Sequence, residues 1–164
     1  MRKSTHSTRF ARSGQVISSS PSQTKNIAKA LAKTLLESQQ KKGATIVALT
    51  GELGSGKTTF TQGFAKGLGV KERILSPTFI LLKEFRVKHP FFRTFYHIDC
   101  YRLDNPAKEL LHLGLKKIIT DPHNIVVVEW ADRIKKIMPK DVLWLRFFHR
   151  GPNQRTITVW SKAG

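Results

Sequence analysis

Residues 51 to 60 read GELGSGKTTF and contain the residue types that can hold a polyphosphate. Gly51, Gly56, Lys57 and Thr58 satisfy the spacing G-x-x-x-x-G-K-[ST]. Glycine tolerates positive φ, so glycines here let the backbone close on a phosphate and turn successive N–H groups towards it. The lysine ammonium suits the β- and γ-phosphates, and the threonine hydroxyl suits Mg²⁺. The segment predicts a site for a nucleoside triphosphate with Mg²⁺, and its candidate residues are Gly51, Glu52, Leu53, Gly54, Ser55, Gly56, Lys57, Thr58 and Thr59.

Phosphoryl transfer also needs an acid near the metal. The apolar run IVVVE ends in Glu129, and a buried strand here would deliver this carboxylate to the sheet edge where Thr58 lies. We therefore predict that Thr58 and Glu129 hold Mg²⁺. The alternative is that Glu129 caps the helix that follows.

A further acid, Asp99, lies in the strand-like run HIDCYR. Period-two alternation places His97, Asp99 and Tyr101 on one face, where they form either part of the site or a polar cluster. Cys100 points to the opposite side, where packing is expected rather than reactivity.

The surrounding pattern predicts the elements that position these residues. The continuous apolar run at 44–50 indicates a buried strand, and the predicted helix over about Lys57–Gly67 follows the glycine-rich loop. Strands that alternate with helices in the middle of the chain, and hairpins elsewhere, predict an α/β fold with a mixed central β-sheet flanked by helices. The other predicted elements are a helix over about Gln23–Ser38 capped by Ser22 or Thr24, a hairpin between Thr78 and Arg102 that turns near Pro90, short helices in NPAKELLHLGL and ADRIKKIMPKD, and an antiparallel pair around RGPNQ.

Charge and composition limit the class of protein. The chain has 164 residues, with 29 Lys and Arg against 11 Asp and Glu, for a net charge of +18. An excess of one sign favours a polyanionic partner such as nucleic acid, although it also fits a merely solvated surface. No apolar run approaches the roughly 20 residues of a membrane span, and the single cysteine indicates a reducing compartment. A cytoplasmic protein without a membrane anchor is expected.

The domain organisation predicted from these patterns is simple. Residues 1–14 are predicted to be a flexible basic N-terminal tail, and residues 15–164 a single P-loop ATPase domain. The first twelve residues are basic and free of acids, a composition that organellar transit peptides share, but they lack the apolar region of a secretory signal.

Four stretches in this order resemble the bacterial tRNA threonylcarbamoyladenosine biosynthesis ATPase family, TsaE (formerly YjeE). They are GELGSGKTTF, SPTF at 76–79, HIDCYRL at 97–103 and VVVEW at 126–130. The P-loop alone is shared by many families, whereas SPTF, H-x-D-x-Y-R and EW in combination are far more specific. The resemblance covers about four fifths of the chain and implies a P-loop NTPase-like domain.

The resemblance implies a small ATPase that uses ATP and Mg²⁺ and works with a two-protein threonylcarbamoyl-transferase complex of the TsaB and TsaD type. That complex modifies adenosine 37 of tRNA, and the nucleotide cycle of the ATPase supports its repeated turnover. By position, Lys57 would contact phosphates, Thr58 and Glu129 would hold Mg²⁺, and Asp99 would assist hydrolysis. The resemblance also implies a switch-like loop with Ser76 and Thr78 sensing the γ-phosphate, and places Trp130 beside the nucleotide and Thr24 near the base.

The chain departs from the family pattern at three positions. Glu52 and Ser55 stand where the family usually has Asp and Ala, and both changes keep size or charge close. Ala131 replaces the usual proline after EW, which affects how the next helix starts. The strong basicity is not part of the family pattern and leaves open direct contact with tRNA.

Two other functions fit part of the pattern. A small nucleoside or metabolite kinase also uses a P-loop, and FRVKHPFFR would then be a candidate lid. A basic RNA-binding module with a structural nucleotide fits the charge, but no RNA-binding motif is recognised. An arginine finger is not evident; Arg102 is a candidate that would equally brace the hairpin by an ion pair.

Overall fold

The computed structural model describes residues 13–38, 42–75 and 81–161. Ser76 and Thr78, predicted to be switch-like, and residues 1–12 of the predicted tail lie outside the described residues. Along the chain the elements are β1 (Ser13–Ser18), α1 (Pro21–Leu36), β2 (Thr45–Gly51), α2 (Lys57–Gly67), β3 (Leu82–Arg86), β4 (Thr94–Asp99), α3 (Pro106–His112), α4 (Leu115–Thr120), β5 (Asn124–Glu129), a 3₁₀ helix (Ala131–Ile137), β6 (Leu143–His149) and β7 (Arg155–Ser161).

The strands form one seven-stranded sheet in the order β1-β7-β6-β2-β5-β4-β3. The four strands in the middle, β6, β2, β5 and β4, run parallel, and β3, β7 and β1 join antiparallel at the two sides. The predicted α/β fold with a mixed sheet is confirmed. β1 begins at Ser13, which lies inside the segment predicted as a tail and pairs with Trp160 of β7.

Each face of the sheet has its own apolar core because strand side chains alternate between faces. Val47 and Leu49 of β2 pack with Phe60 and Phe64 of α2, together with residues of α1. The intervening Ile46 and Ala48 belong to the core on the other face, beneath α3, α4 and the 3₁₀ helix. Helices therefore cover both faces, and between them β5 and the first five residues of β2 are fully buried.

The predicted caps of the first helix were wrong. Neither Ser22 nor Thr24 is the cap, because the helix begins earlier, at Pro21. Ser20 is the N-cap and its hydroxyl accepts a hydrogen bond from the Gln23 N–H at 3.1 Å. Proline at the first helical position needs no hydrogen-bond acceptor, so it fixes this earlier start.

The chain between Leu82 and Ile137 is close to the prediction, with one difference. The predicted antiparallel hairpin is present as β3 and β4. After α3 the chain forms the additional helix α4. The short helix predicted after Trp130 is present as a 3₁₀ helix that is kinked at Ile134. In the described part of the chain, no helix has the length and apolar character needed to cross a membrane.

Candidate nucleotide-binding site

The glycine-rich loop joins the end of β2 to the start of α2 at the carboxyl edge of the parallel strands. Its glycines have the positive φ values that the pattern requires: +135° at Gly51, +73° at Gly54 and +103° at Gly56. A Cβ at Gly51 would lie 2.5 Å from the carbonyl oxygen of Phe147, so only glycine fits there. Gly56 is the N-cap of α2 and makes no side-chain hydrogen bond to the first N–H groups of the helix. The positive end of the helix therefore faces the loop.

Lys57 is the first residue of α2, directly after this loop, and is only 4% exposed. Its ammonium donates hydrogen bonds to the carbonyl oxygens of Gly51 and Glu52, both at 2.7 Å, and to the Ser55 hydroxyl at 3.3 Å. Burial lowers the pKa of Lys57, and the negative charges of Glu129 and other acids oppose this shift. The loop therefore holds a desolvated positive charge that an anion would stabilise.

Glu129 connects the glycine-rich loop to the centre of the sheet. It is 1% exposed at the end of β5. Its Oε2 accepts a hydrogen bond from the Thr58 hydroxyl at 2.8 Å, and its Oε1 accepts one from Thr61 at 3.1 Å. The Nε2 of His97 lies 2.9 Å from the same Oε1. A carboxylate this buried is stable only when it is hydrogen-bonded or paired, and these contacts also fix its position beside Thr58.

Asp99 ends β4 directly beside Glu129, its partner in the parallel register. Its Oδ1 accepts a hydrogen bond from the Tyr101 N–H at 3.0 Å. Asp99 and His97 share a face of β4 because they are two residues apart. Asp99 and Glu129 end neighbouring parallel strands, so the two acids lie at the same edge of the sheet. Cys100 is fully buried in the core on the opposite face, as predicted.

Trp130 covers the front of the loop. Among the described residues it is the single non-glycine residue with positive φ, at +58°. This costly conformation places the indole so that the Lys57 ammonium lies 4.0 Å from its ring centroid, and Tyr101 stacks on it at 4.8 Å. Trp130 thus lies next to the buried Lys57 ammonium.

Thr24 lies on the other flank of the loop. It lines a small cleft of about 80 Å³ with Gly54, Gly56 and Thr59. Its side chain is 2% exposed, and its hydroxyl is hydrogen-bonded to Ser18 at 2.7 Å. The structure therefore places Thr24 and Trp130 on opposite sides of the loop.

Arg133, which the sequence reasoning missed, braces the loop that follows β4. Its guanidinium donates hydrogen bonds to the carbonyl oxygens of Cys100, Tyr101 and Leu103. Arg102, named from the sequence as a possible brace, is exposed. The arginine that braces this loop lies in the 3₁₀ helix. It was missed because its acceptors are main-chain carbonyls, which leave no signal in the sequence of side chains.

The two other missed residues did have a signal. Thr61 lies three residues after Thr58, and residues at that spacing share a face of an α-helix. His97 shares a strand face with Asp99, and it was seen as part of a polar cluster without a role in holding Glu129. Both patterns are visible in the sequence once α2 and β4 are placed.

The turn between β3 and β4 does not resemble a lid over the loop. It precedes β4, whereas Asp99 and the loop lie where β4 ends, so it occupies the opposite edge of the sheet. Phe92 is buried in the core, and Arg93 donates its N–H to the carbonyl of His123 at 2.9 Å. The lid considered for a kinase is therefore wrong for this segment.

The donor set fits Mg²⁺. Mg²⁺ prefers oxygen ligands and usually combines one or two carboxylates with phosphate oxygens and water. The Thr58 hydroxyl and the Glu129 carboxylate are such ligands and touch each other. Over residues 13–38, 42–75 and 81–161 no group of three or more His, Cys, Asp or Glu is arranged as a metal cage.

Comparison with known proteins gives one consistent family. The model of the family described as "Threonylcarbamoyl adenosine biosynthesis protein TsaE" matches residues 18–157. Two relatives carry the name "tRNA threonylcarbamoyladenosine biosynthesis protein TsaE". The one from Bacillus subtilis is 36% identical over 138 residues, covering 84% of this chain and 79% of the relative. The one from Rickettsia bellii is 39% identical over 130 residues, covering 79% and 82%.

A solved structure is also similar. The crystal structure of Bacillus subtilis YdiB superimposes with a TM-score of 0.66 and 31% sequence identity. The match covers 91% of this chain and 86% of that chain. The likeness therefore extends over both the glycine-rich loop and the surrounding sheet.

Proposed function

The chain belongs to the TsaE family of threonylcarbamoyl adenosine biosynthesis proteins, and from this we propose that it binds ATP with Mg²⁺ and hydrolyses it in support of tRNA threonylcarbamoylation. The observation that carries the proposal is the contact between Thr58, at the start of the P-loop helix, and the buried carboxylate of Glu129. The contact brings together a hydroxyl and a carboxylate, both of them oxygen ligands of the kind that Mg²⁺ takes, beside the glycine-rich loop.

Each residue of the site has a proposed task. The N–H groups of the loop and the Lys57 ammonium bind the phosphates, and Lys57 exchanges its contacts with loop carbonyls for phosphate oxygens. Thr58 and Glu129 would hold Mg²⁺, which neutralises phosphate charge when bound. Asp99, beside Glu129, assists hydrolysis by orienting water. His97 and Thr61 keep the Glu129 carboxylate in place.

Three further roles come from the family resemblance. Thr24 lies near the base, in the cleft it forms with Gly54 and Thr59. Trp130 lies beside the nucleotide and covers Lys57. Ser76 and Thr78 act as γ-phosphate sensors in a switch-like loop.

The proposed partner is a two-protein threonylcarbamoyl-transferase complex of the TsaB and TsaD type, which acts on adenosine 37 of tRNA in the cytoplasm. The isolated chain hydrolyses ATP slowly, because part of the transition-state charge is stabilised only in that complex. The exposed Arg102 is a candidate contact to the partner rather than a finger within this chain.

The test is phosphate release from ATP, measured for the chain alone and with the partner proteins. Turnover is expected to rise with the partners, and equal rates would refute the dependence. A phosphorylated acceptor instead of free phosphate would favour the kinase alternative. Lys57→Ala is expected to abolish ATP binding and support of tRNA modification together, whereas Lys108→Ala, on the exposed surface of α3, is expected to retain both.

A further inference from the structure

A second cleft lies where α2 ends, away from the start of that helix, where Lys57 lies. Its volume is about 600 Å³, and its cationic residues come from three parts of the fold. Lys25 lies on α1, Lys66 on α2, and Lys71 and Arg73 on the segment that follows α2. All four are exposed, and Glu72 is the one acid among the described lining residues. We call this cleft the basic groove.

The groove has a fixed shape. The side-chain amide of Gln62 donates a hydrogen bond to the carbonyl of Ile74 at 3.1 Å and ties the segment after α2 to the helix. The N–H of Val70 bonds to the carbonyl of Ala65 at 3.0 Å, and Val70 and Ile74 are both buried. The backbone that carries these cations is therefore held in place, so little ordering of the backbone is needed before an anion binds.

The charge balance selects the ligand class. Four cations against one acid form a strongly positive surface, which gathers counterions that a polyanion displaces on binding. The cleft beside Trp130, with a volume of about 440 Å³, differs because there Lys135 and Arg146 are offset by Glu52 and Asp132. The basic groove is thus the better site for a chain of phosphates.

The lining also says how a nucleic acid would be bound. No aromatic side chain is among the described residues of the basic groove, so it offers no ring on which an unpaired base can stack. Lysine and arginine side chains around aliphatic residues suit contacts to phosphate and sugar groups instead. Folded RNA presents these groups on its surface, while its bases are paired.

We propose that the basic groove binds the sugar–phosphate backbone of folded RNA. The proposal rests on the proposed function in one respect, that tRNA is the substrate the pathway modifies. It adds a surface of this chain, separate from the nucleotide site, that contacts the RNA directly.

The experiment compares two triple variants that remove the same charge. Lys66→Gln, Lys71→Gln and Arg73→Gln are combined in one protein. Lys108→Gln, Lys116→Gln and Lys117→Gln, all exposed on α3 and α4, are combined in the control. Binding of an unmodified tRNA transcript, an RNA duplex and a polyuridine strand is measured without nucleotide over a range of salt. ATP binding is measured separately on each protein.

The groove variant is expected to lose affinity for the transcript and the duplex by tenfold or more at low salt. The slope of log affinity against log salt should fall by about 3, one unit for each lost phosphate contact. The control should change less than threefold and keep the slope of the native chain. Polyuridine should bind no more tightly than the duplex.

Three results would overturn the proposal. They are undiminished RNA binding by the groove variant, equal losses in both variants, and no RNA binding by the native chain; the last would leave the groove to an acidic protein surface. ATP binding by all three proteins keeps these outcomes separate from the proposed ATPase, which would fail instead if the native chain bound RNA but no ATP.

Discussion

At the scale of single residues, the site is organised around one buried carboxylate. Glu129 receives hydrogen bonds or contacts from Thr58, Thr61 and His97 while nearly excluded from water. Its charge raises the pKa of Lys57 while burial lowers it, so acid and base stabilise each other across the loop.

The first prediction concerns Glu129→Gln. The amide keeps the size of the side chain but lacks the charge that a divalent cation needs. ATP hydrolysis should fall by about 100-fold or more, equivalent to about 3 kcal/mol of lost transition-state stabilisation. ATP binding in the presence of EDTA should persist, because the loop and Lys57 are intact. Phosphate release and calorimetric binding would measure the two effects.

The matched control for that variant is Glu109→Gln, which makes the same change at an exposed position of α3. It removes the same charge outside the contact with Thr58 and should keep hydrolysis within about threefold of the native rate. Full activity in Glu129→Gln would remove the metal role assigned to this residue.

A second prediction at this scale concerns Cys100, because burial raises the pKa of its thiol from the ordinary 9.0 to about 12. The pKa of the thiol is higher in the folded chain than in the unfolded chain. The thiol therefore contributes stability at pH values below its unfolded pKa, and this contribution is lost as the pH rises towards its folded pKa. Between pH 8.5 and 10 the native chain should lose about 1 kcal/mol more unfolding free energy than Cys100→Val. Denaturant titrations at both pH values would measure the difference, and parallel curves would contradict it.

At the scale of elements, α1 and α2 pack unusually closely beside the nucleotide loop. A Cβ at Gly63 would lie 2.3 Å from the carbonyl oxygen of Lys25, and one at Gly67 would lie 2.7 Å from that of Lys29. Both obstacles are backbone atoms, so they move only if α1 moves. The two glycines therefore set the distance between the helix that starts at the loop and the helix that carries Thr24.

Gly63→Ala is accordingly expected to destabilise the protein. Alanine favours a helix by about 1 kcal/mol over glycine, but overpacking costs about 1–3 kcal/mol, and a clash with backbone lies at the upper end. We expect a net loss of about 1–2 kcal/mol in unfolding free energy by denaturant titration. Gly14→Ala makes the same chemical change where a Cβ meets nothing within 4 Å, and should be neutral within about 0.5 kcal/mol. Stability gained by Gly63→Ala would show that α1 is not held in this position.

The elements that position the site could largely be predicted from the sequence. β2, α2 and β5 were predicted because a continuous apolar run marks a buried parallel strand and the glycine-rich loop marks a helix start. The cap at Ser20 and the helix α4 were not predicted. The cap depends on a proline in the first turn of α1, and α4 depends on the left-handed conformation of Gly114. Hydrophobic periodicity detects neither feature.

The contacts within the site were harder to predict than its members. That Glu129 and Thr58 meet follows from the parallel order of β2 and β5. The brace from Arg133 and the left-handed Trp130 depend on main-chain positions that only the folded chain defines. Sequence alone therefore predicted which residues of the loop, β4 and β5 come together, but not the contacts that hold the flanks of the site.

At the scale of the whole molecule, the site spans the centre of the sheet, so a ligand there joins several elements at once. The loop connects β2 to α2, Glu129 ends β5, and Asp99 ends β4. A nucleotide with its metal would bridge these strand ends, and the unfolded chain has no such site. Binding should therefore stabilise the complete fold rather than one segment.

The resulting prediction is a ligand-dependent shift of the unfolding temperature. Ligand at about 100 times its dissociation constant adds about 2.7 kcal/mol, and in a chain of this size each kcal/mol raises Tm by about 2–4 °C. ATP with Mg²⁺ should raise Tm by about 5–10 °C by scanning calorimetry, and EDTA should remove much of the increase, because Thr58 and Glu129 then lose the cation between them and the phosphates. Lys57→Ala should show no shift with either addition. An equal increase with and without Mg²⁺ would mean that the nucleotide binds through the loop alone, and that the contact between Thr58 and Glu129 has no part in holding a metal.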